Sequence, residues 1–318
     1  MASKILNQAL IPVFLVPTIV FLASLVMSPS YQRITVLFLI YAGLSLSWIV
    51  IFKMGYVSLG SAAFYGAGAY IFVYLTKWYP SLPYSLDVLL PIPIIAFIAI
   101  VVGYATMRLA GIFFIFATFA SAEALRQIFL YSEINYTGFV GKVITKPLPT
   151  IETLGLLCIL LMFAGLLFYT TTIPKFRIVI DYIREDEELA KVAGVNTLKY
   201  KIAFFTIASV IQGLVGSIAA WYLAYIDPDL VFNPMISIQV LVIGLLGGSG
   251  NILGSIIASG LLVYLSEQLI RIASQLYLIV LGISVILVAK FMKGGFSGFI
   301  DKVWEVWELR NRKTEGGR

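Results

Sequence analysis

The sequence predicts an all-α polytopic membrane protein, with about ten transmembrane or re-entrant helices and one charged cytoplasmic loop. Of the 318 residues, 60% are hydrophobic and only 12% are charged, whereas a soluble domain carries about 25% charged residues. Windows of about 20 apolar residues, the length that a helix needs to cross a bilayer, recur along the whole chain. We therefore expect a multi-pass protein of the cell (cytoplasmic) membrane, surrounded by lipid.

Apolar windows separated by polar or glycine-rich breaks define the predicted spans. The first span follows a single lysine and is about 19 residues long, which exceeds the apolar core of a signal peptide, so we expect it to be retained. The eighth is so short that as a helix it rises only about 18 Å, against a hydrocarbon core of about 30 Å, and it predicts a re-entrant or broken helix. The predicted spans are residues 9–27, 34–52, 57–76, 88–107, 111–130, 153–172, 201–224, 236–247, 251–269 and 272–292.

The basic residues predict the orientation. With the N-terminus inside, ten crossings place 16 Lys and Arg on the cytoplasmic side, while the outer loops carry five, namely Arg33, Lys77, Lys142, Lys146 and Arg271. This asymmetry follows the positive-inside rule, so we expect both termini in the cytoplasm. It also accounts for the net charge of +6 without nucleic acid as a partner. Residues 293–318, which alternate apolar and charged residues at helical spacing, predict a cytoplasmic amphipathic tail at the membrane surface.

Catalytic chemistry has no candidate residues. The chain has no histidine, and its single cysteine, Cys158, lies inside an apolar run where a packing role is expected. Neither a metal-ligand cluster nor a nucleophile with a base occurs, so we expect no metal, no cofactor and no enzymatic activity. The phosphate-binding motif GxxxxGK[ST] is also missing, so ATP hydrolysis would require separate chains.

The polar centre of the chain is residues 172–201, which contain six of the 22 basic residues and five of the 16 acidic ones. The charge pattern predicts a helix over residues 184–193, ended by Gly194. Asn196 or Thr197 is then expected to cap the following helix. Long apolar runs lie on both sides, so the loop over residues 173–201 must lie in water.

Two interpretations of this loop stay open at this point. The acidic residues 185–188 lie near the predicted helix N-terminus, where the helix dipole favours negative charge, and a solvated loop that orients the protein needs no more than that. The alternative is a docking helix for a soluble cytoplasmic partner. Ala190, Ala193 and Gly194 favour docking, because small residues allow a partner to approach closely.

Glycine-rich segments flank possible helix breaks at two places. Residues 55–70 repeat small residues at helical spacing, which indicates close helix packing, and Ser58 and Ser61 near a break are candidates to face a polar pathway. The second segment, residues 234–260, contains Gly247 and Gly248. A break there exposes backbone amides and carbonyls, which can bind the charged groups of an amino acid.

An ionisable residue interrupts the fifth span. Glu123 lies more than a full turn from the predicted outer end, where an ionised group must be paired or hydrated, so we expect it to face the protein interior or a cavity. Arg126, three residues later, is close enough to pair with it. Both a structural ion pair and a residue that lines or gates a pathway remain open.

Three motifs in this order resemble the permeases of branched-chain amino acid ABC importers, the LivM/LivH family, over about residues 35–298. The sequence departs from the family at Ser61, where a histidine is usual. The motifs are Gly55, Ser58, Leu59, Gly60, Phe64, Gly68, Ala69 and Tyr70; Arg184 to Glu187 with Ala190, Ala193, Gly194, Val195, Tyr200 and Lys201; and Gly247, Gly248, Gly250 and Gly254.

The resemblance implies a permease subunit that translocates branched-chain or other small amino acids, driven by ATP hydrolysis on separate subunits. It implies a second homologous permease, two ATP-binding cassette subunits and an extracytoplasmic solute-binding protein as partners. A permease for urea, amides or another small solute, and a stand-alone secondary transporter or channel that uses Glu123, are the alternatives. The resemblance makes residues 173–201 a cytoplasmic coupling loop within a permease domain of residues 1–292. ATPase coupling is then assigned to Arg184, Glu185, Asp186, Glu187, Ala190, Ala193 and Gly194, and the substrate pathway to Ser58, Phe64, Glu123, Gly247 and Gly248.

Overall fold

The computed structural model describes residues 2–78, 87–144, 148–248 and 252–291; side chains are described for residues 11–272 of these ranges except Thr137, and for residues 279, 280, 282 and 283. Within them the chain forms twelve helices and one small antiparallel sheet. The helices are α1 (Ala2–Ser24), α2 (Pro29–Lys53), α3 (Ser61–Trp78), α4 (Ile92–Thr106), α5 (Ile112–Thr137), α6 (Thr150–Thr170), α7 (Pro174–Glu185), α8 (Glu187–Val192), α9 (Thr197–Leu223), α10 (Pro228–Val231), α11 (Pro234–Gly247) and α12 (Ile252–Phe291); strand β1 (Lys142–Val143) pairs with β2 (Tyr225–Ile226).

The apolar helices confirm the predicted polytopic fold class. Among the described residues, six helical segments are long and apolar enough to cross a membrane, and two shorter apolar helices accompany them. The six are Pro29–Lys53, Ile112–Tyr136, Thr150–Thr170, Thr197–Leu223, Pro228–Gly247 and Ile252–Ile272, and the shorter two are Ile11–Ser24 and Ile92–Thr106. The number ten is therefore not reproduced, although the all-helical architecture is.

The last two predicted spans form one helix. We placed separate spans at 251–269 and 272–292, but α12 continues through both as a helix of 40 residues. Neither glycine nor proline occurs between Gly260 and Gly282, so nothing in the sequence breaks the backbone there. The division into two crossings was wrong. The predicted tail, residues 293–318, lies outside the described residues.

Helix α3 forms the centre of the fold. Every residue from Ser61 to Val73 is buried, and α9 crosses α3 at contact distance. A Cβ added to Gly68 would lie 1.9 Å from the carbonyl oxygen of Gly213, and one added to Gly216 would lie 1.9 Å from that of Tyr65. Glycine at these points lets the two backbones touch, as the small-residue spacing of residues 55–70 predicted.

Two membrane segments are interrupted. Residues 57–60, predicted as part of the third span, have no helical structure and lead into α3. The Trp48 indole fixes this approach by donating to the Ser58 carbonyl at 2.7 Å. Phe232 and Asn233 likewise separate the single turn α10 from α11. The short eighth span is thus one part of a broken helix, in agreement with the prediction.

Candidate functional site

The coupling loop folds as two short helices rather than one. The predicted helix over residues 184–193 is divided at Asp186, whose backbone is extended and whose carboxylate accepts hydrogen bonds from the amides of Glu188 (2.9 Å) and Leu189 (3.1 Å). The single-helix prediction was wrong because this carboxylate starts a new helix. Gly194 follows α8 with a φ of +82°, and Asn196 caps α9 by accepting from the Lys199 amide at 3.1 Å, as predicted.

Glu187, the first residue of α8, is tied to a buried lysine. The Lys201 ammonium lies 2.9 and 3.0 Å from the two carboxylate oxygens of Glu187. It also donates to the Tyr56 hydroxyl at 2.9 Å and to the Met107 carbonyl at 2.8 Å. Glu187 accepts two further hydrogen bonds, from Thr197 Oγ1 at 2.9 Å and from the Tyr56 hydroxyl at 3.2 Å. We call these five residues the latch.

Solvent is largely excluded from the latch, since the Lys201 side chain is only 3% exposed and that of Glu187 28%. Burial alone would raise the pKa of the Glu187 carboxyl, but the hydrogen bonds from Lys201, Thr197 and Tyr56 outweigh it and hold the pKa below its ordinary value. The carboxylate is therefore ionised at neutral pH. The latch joins the loop to the start of α9, to the end of α4 and to the segment that leads into α3.

The loop presents two different surfaces. Ile180 and Ile183 of α7 are buried against the helical body, and Ala190 of α8 is only 1% exposed. On the opposite side, Leu189 is 63% exposed and Val192 86%. Of the seven residues assigned to coupling, five are exposed and two, Glu187 and Ala190, contact the protein's own body; the five are Arg184, Glu185, Asp186, Ala193 and Gly194.

Hydroxyl groups cap the buried N-terminus of α3. The Ser58 Oγ accepts from the Gly60 amide at 3.1 Å, Thr118 Oγ1 accepts from the Leu59 amide at 3.0 Å, and Ser237 Oγ accepts from the Ala62 amide at 2.9 Å. These hydroxyls come from the α3 approach, from α5 and from α11, so the helix break is the point where three membrane segments meet. Ser58 belongs to this cap.

The other apolar pathway candidates are packing residues in this conformation. Phe64 is 1% exposed and packs edge-to-face on Phe205 with ring centroids 5.4 Å apart. Gly247 and Gly248 are both buried. A Cβ on Gly247 would lie 2.5 Å from the Ser255 Cα, so this glycine permits α11 to pack against α12. Gly248 has a φ of +76°, which ends α11.

Glu123 lies away from these residues, on α5. Its carboxylate is held by Arg126 at 2.7 Å and by the Gln127 amide at 2.8 Å, and its side chain is 43% exposed. Arg126 also pairs with Asp229 of α10. Because α5 extends to Thr137, Glu123 lies about 21 Å from its C-terminal end, deeper than predicted.

The candidate residues therefore lie in four places: the coupling loop, the α3 cap with Phe64, the junction of α11 and α12 at Gly247 and Gly248, and the Glu123 cluster. The importance of Lys201 and Asp229 was missed. A single lysine near the start of a predicted span could have indicated a buried ion pair, but its partners Tyr56 and Met107 are too distant in sequence to be foreseen. Among the described residues, no group of three or more Cys, Asp or Glu side chains is placed to hold a metal ion.

Known proteins match most of this chain in sequence. Residues 30–289 match the family described as "Branched-chain amino acid transport system / permease component". Two similar proteins are the "High-affinity branched-chain amino acid transport system permease protein LivM" of Escherichia coli (strain K12), 26% identical over 279 residues, and that of Salmonella typhimurium, 26% identical over 275 residues. Each match covers 76% of this chain and 64% of the relative, so the chain spans less than two thirds of their length. No solved structure matches the chain.

Proposed function

Because the chain belongs to the family of branched-chain amino acid transport system permease components, we propose that it is the permease subunit of an ABC importer for branched-chain or other small amino acids, driven by ATP hydrolysis on two separate cassette subunits. The described helices supply a multi-pass membrane body. Support for coupling comes from one observation: the exposed loop is bound through the buried pair of Glu187 and Lys201 to the segments around α3.

The α7–α8 loop is the docking surface for the ATPase subunits in this proposal. Two large apolar side chains, Leu189 and Val192, are exposed at its tip next to the charged residues Arg184 and Glu185. Such an apolar patch within a polar rim is typical of a protein interface. Movement imposed on α8 by the ATPases would pass through the latch to Tyr56, and from there along residues 57–60 to the α3 cap.

A second homologous permease and an external solute-binding protein complete the assembly. Helix α5 is the strongest support for the second permease, because its outer face exposes large apolar residues beside the charged cluster of Glu123 and Arg126. Lipid can cover the apolar residues but not the charges. We place the pathway where this face meets the second permease. The loop side is cytoplasmic in this arrangement, with residues 1–292 as the permease domain.

The proposal is tested by co-expressing the chain with candidate permease, ATPase and binding-protein partners, then measuring leucine uptake into proteoliposomes with and without ATP. We expect Val192→Asp to abolish co-purification of the ATPases. The matched control is Val143→Asp in β1, which also places a charge at an exposed valine (73% exposed, against 86% for Val192), and it should leave the complex intact.

Three results would contradict the proposal in different ways. Uptake by the chain alone without ATP would identify a secondary transporter or channel. ATP-driven uptake of urea or amides in preference to amino acids would keep the permease role and change the solute. Undiminished co-purification of the ATPases with Val192→Asp would move the docking surface away from α8.

A further inference from the structure

A charged cluster on α5 and α10 lies apart from the latch. Arg126 lies between two carboxylates: it contacts Glu123 within its own helix, through Nε at 3.0 Å and a terminal nitrogen at 2.7 Å, and it pairs with Asp229 of α10. The Gln127 amide donates to the same Glu123 carboxylate at 2.8 Å. The cluster therefore joins a continuous membrane helix to the first part of a broken one.

The cluster lies at a depth where an ionised side chain is unfavourable unless it is paired or hydrated. Glu123 and Arg126 are about 16 and 21 Å along α5 from its start at Ile112, so both fall within a hydrocarbon core of about 30 Å. Their side chains are nevertheless 43% and 23% exposed, and that of Asp229 is 77% exposed. Ionised groups at this depth face a water-filled space or another protein, and not lipid. The cluster is thus accessible from the side where the pathway is proposed.

From this geometry we propose that Glu123, Arg126 and Asp229 bind the α-ammonium and α-carboxylate groups of the transported amino acid. The inference rests on the proposed function. A guanidinium group is the side chain best suited to hold a carboxylate through two parallel hydrogen bonds, and two carboxylates can accept from an ammonium. No other described side chains outside the latch bring both charge types together between two membrane segments at this depth.

Binding of the solute exchanges one set of ion pairs for another and therefore costs little free energy. Asp229 is the most exposed of the three, so an incoming carboxylate can replace it on Arg126 without opening the core. The released Asp229 and Glu123 then accept from the solute's ammonium. The internal pair of Arg126 and Asp229 is exchanged for pairs with the solute, and no charge is left buried without a partner. In the absence of solute, Asp229 occupies the place of the solute's carboxylate.

The experiment removes charged groups from the protein and from the ligand, singly and together, and compares the losses of affinity. It is carried out on the assembled transporter in detergent without the binding protein. Radiolabelled leucine binding is competed with leucine, with its α-keto acid, which lacks the ammonium, and with isopentylamine, which lacks the carboxylate. The variants are Arg126→Met, Arg126→Lys, Glu123→Gln and Asp229→Asn. Arg33→Met, which removes an exposed arginine of α2 outside both the cluster and the loop, is the control for loss of an arginine.

We expect Arg126→Met to weaken leucine binding about tenfold to a hundredfold, as the loss of a charged hydrogen-bonding group predicts, while isopentylamine binding changes little. Glu123→Gln should weaken leucine binding but leave the α-keto acid unaffected. Arg126→Lys should retain part of the affinity. Asp229→Asn, at an exposed position that does not endanger folding, should reduce the preference for leucine over the α-keto acid.

A purely structural ion pair gives another pattern, in which leucine and both analogues lose affinity equally. That result, or unchanged leucine binding and uptake in the assembled Arg126→Met and Asp229→Asn transporters, overturns the inference. Wild-type ATP-driven leucine uptake, measured in parallel at saturating binding protein, separates the two proposals. If the wild type transports leucine and the variants match it, only the solute site is wrong; if the wild type moves no amino acid, the proposed function itself fails.

Discussion

Replacing Lys201 by methionine should separate ATP hydrolysis from transport, because it removes the charged centre of the latch. Methionine fills nearly the same space, but every hydrogen bond of the ammonium is lost, including those to Glu187 at 2.9 and 3.0 Å. Breaking a buried ion pair costs about 3–5 kcal/mol. Glu187 is 28% exposed and keeps its donors from Thr197 and Tyr56. We therefore expect a loss at the lower end of this range, about 3 kcal/mol, which lowers the ratio of docked to undocked loop about a hundredfold.

The assay compares leucine transported with ATP hydrolysed in proteoliposomes that contain the whole transporter. Lys201→Met should lower the number of leucine molecules moved per ATP while hydrolysis continues. Hydrogen exchange of α8 amides reports docking of the loop directly, and these amides should exchange faster in the variant because the loop opens more often.

The matched control is Lys191→Met. Lys191 also lies near Glu187, at 3.8 Å, but its side chain is 50% exposed and its closer partner, Glu188, is 82% exposed. A surface pair of this kind is worth about 0–1 kcal/mol, so the protection of the α8 amides against hydrogen exchange should change little. If Lys201→Met fails to assemble, the double variant with Glu187→Gln removes the uncompensated charge and restores assembly, but coupling should stay low. Wild-type coupling and exchange in Lys201→Met would refute the role of the latch.

Three other outcomes are expected. The double variant Arg184→Glu with Glu185→Lys should insert and assemble but lose ATP-driven uptake, because it inverts the exposed charges of the docking surface; normal uptake contradicts this. Gly68→Ala should lower the free energy of unfolding by about 1–3 kcal/mol or more, and with it the melting temperature, because its Cβ would lie 1.9 Å from a backbone carbonyl oxygen of α9. Gly260→Ala, whose Cβ would lie 3.6 Å from its nearest neighbour, should be tolerated. Equal melting temperatures of the two variants would show that α3 and α9 can separate. The pKa of Glu187 is held below its ordinary value of 4.5, so its contribution to loop docking is fully present above that pH and is lost as the pH falls further. Protection factors of the α8 amides, which divide out the intrinsic pH dependence of exchange, should therefore fall at acidic pH; protection factors that stay constant from pH 6 to about pH 3 would disagree.

Local chemistry allowed several features to be read directly from the residues. Apolar windows locate most helices because a membrane helix must satisfy its own backbone hydrogen bonds and cover them with apolar side chains. The cap at Asn196 and the end of α8 at Gly194 were also predictable, since each depends only on neighbouring backbone groups. The helix break at Asp186 depends on an equally local hydrogen bond, but the surrounding charge pattern favoured one continuous helix.

Other features depended on distant parts of the chain. Lys201 meets Tyr56 and the Met107 carbonyl, groups 145 and 94 positions away, and Arg126 meets Asp229 across 103 positions. In sequence, Glu187 belongs to a uniform acidic run, and nothing local distinguishes it from its exposed neighbours.

By itself, then, the sequence determined that this protein is a helical membrane body with a charged loop, because hydrophobic length and capping are local properties. Only the tertiary structure decided which member of the acidic run faces inward, which glycines let α3 and α9 touch, and that α12 does not turn back. The physical reason is that burial and ion pairing are properties of the space between elements. That space is defined only when helices far apart in the chain pack against one another.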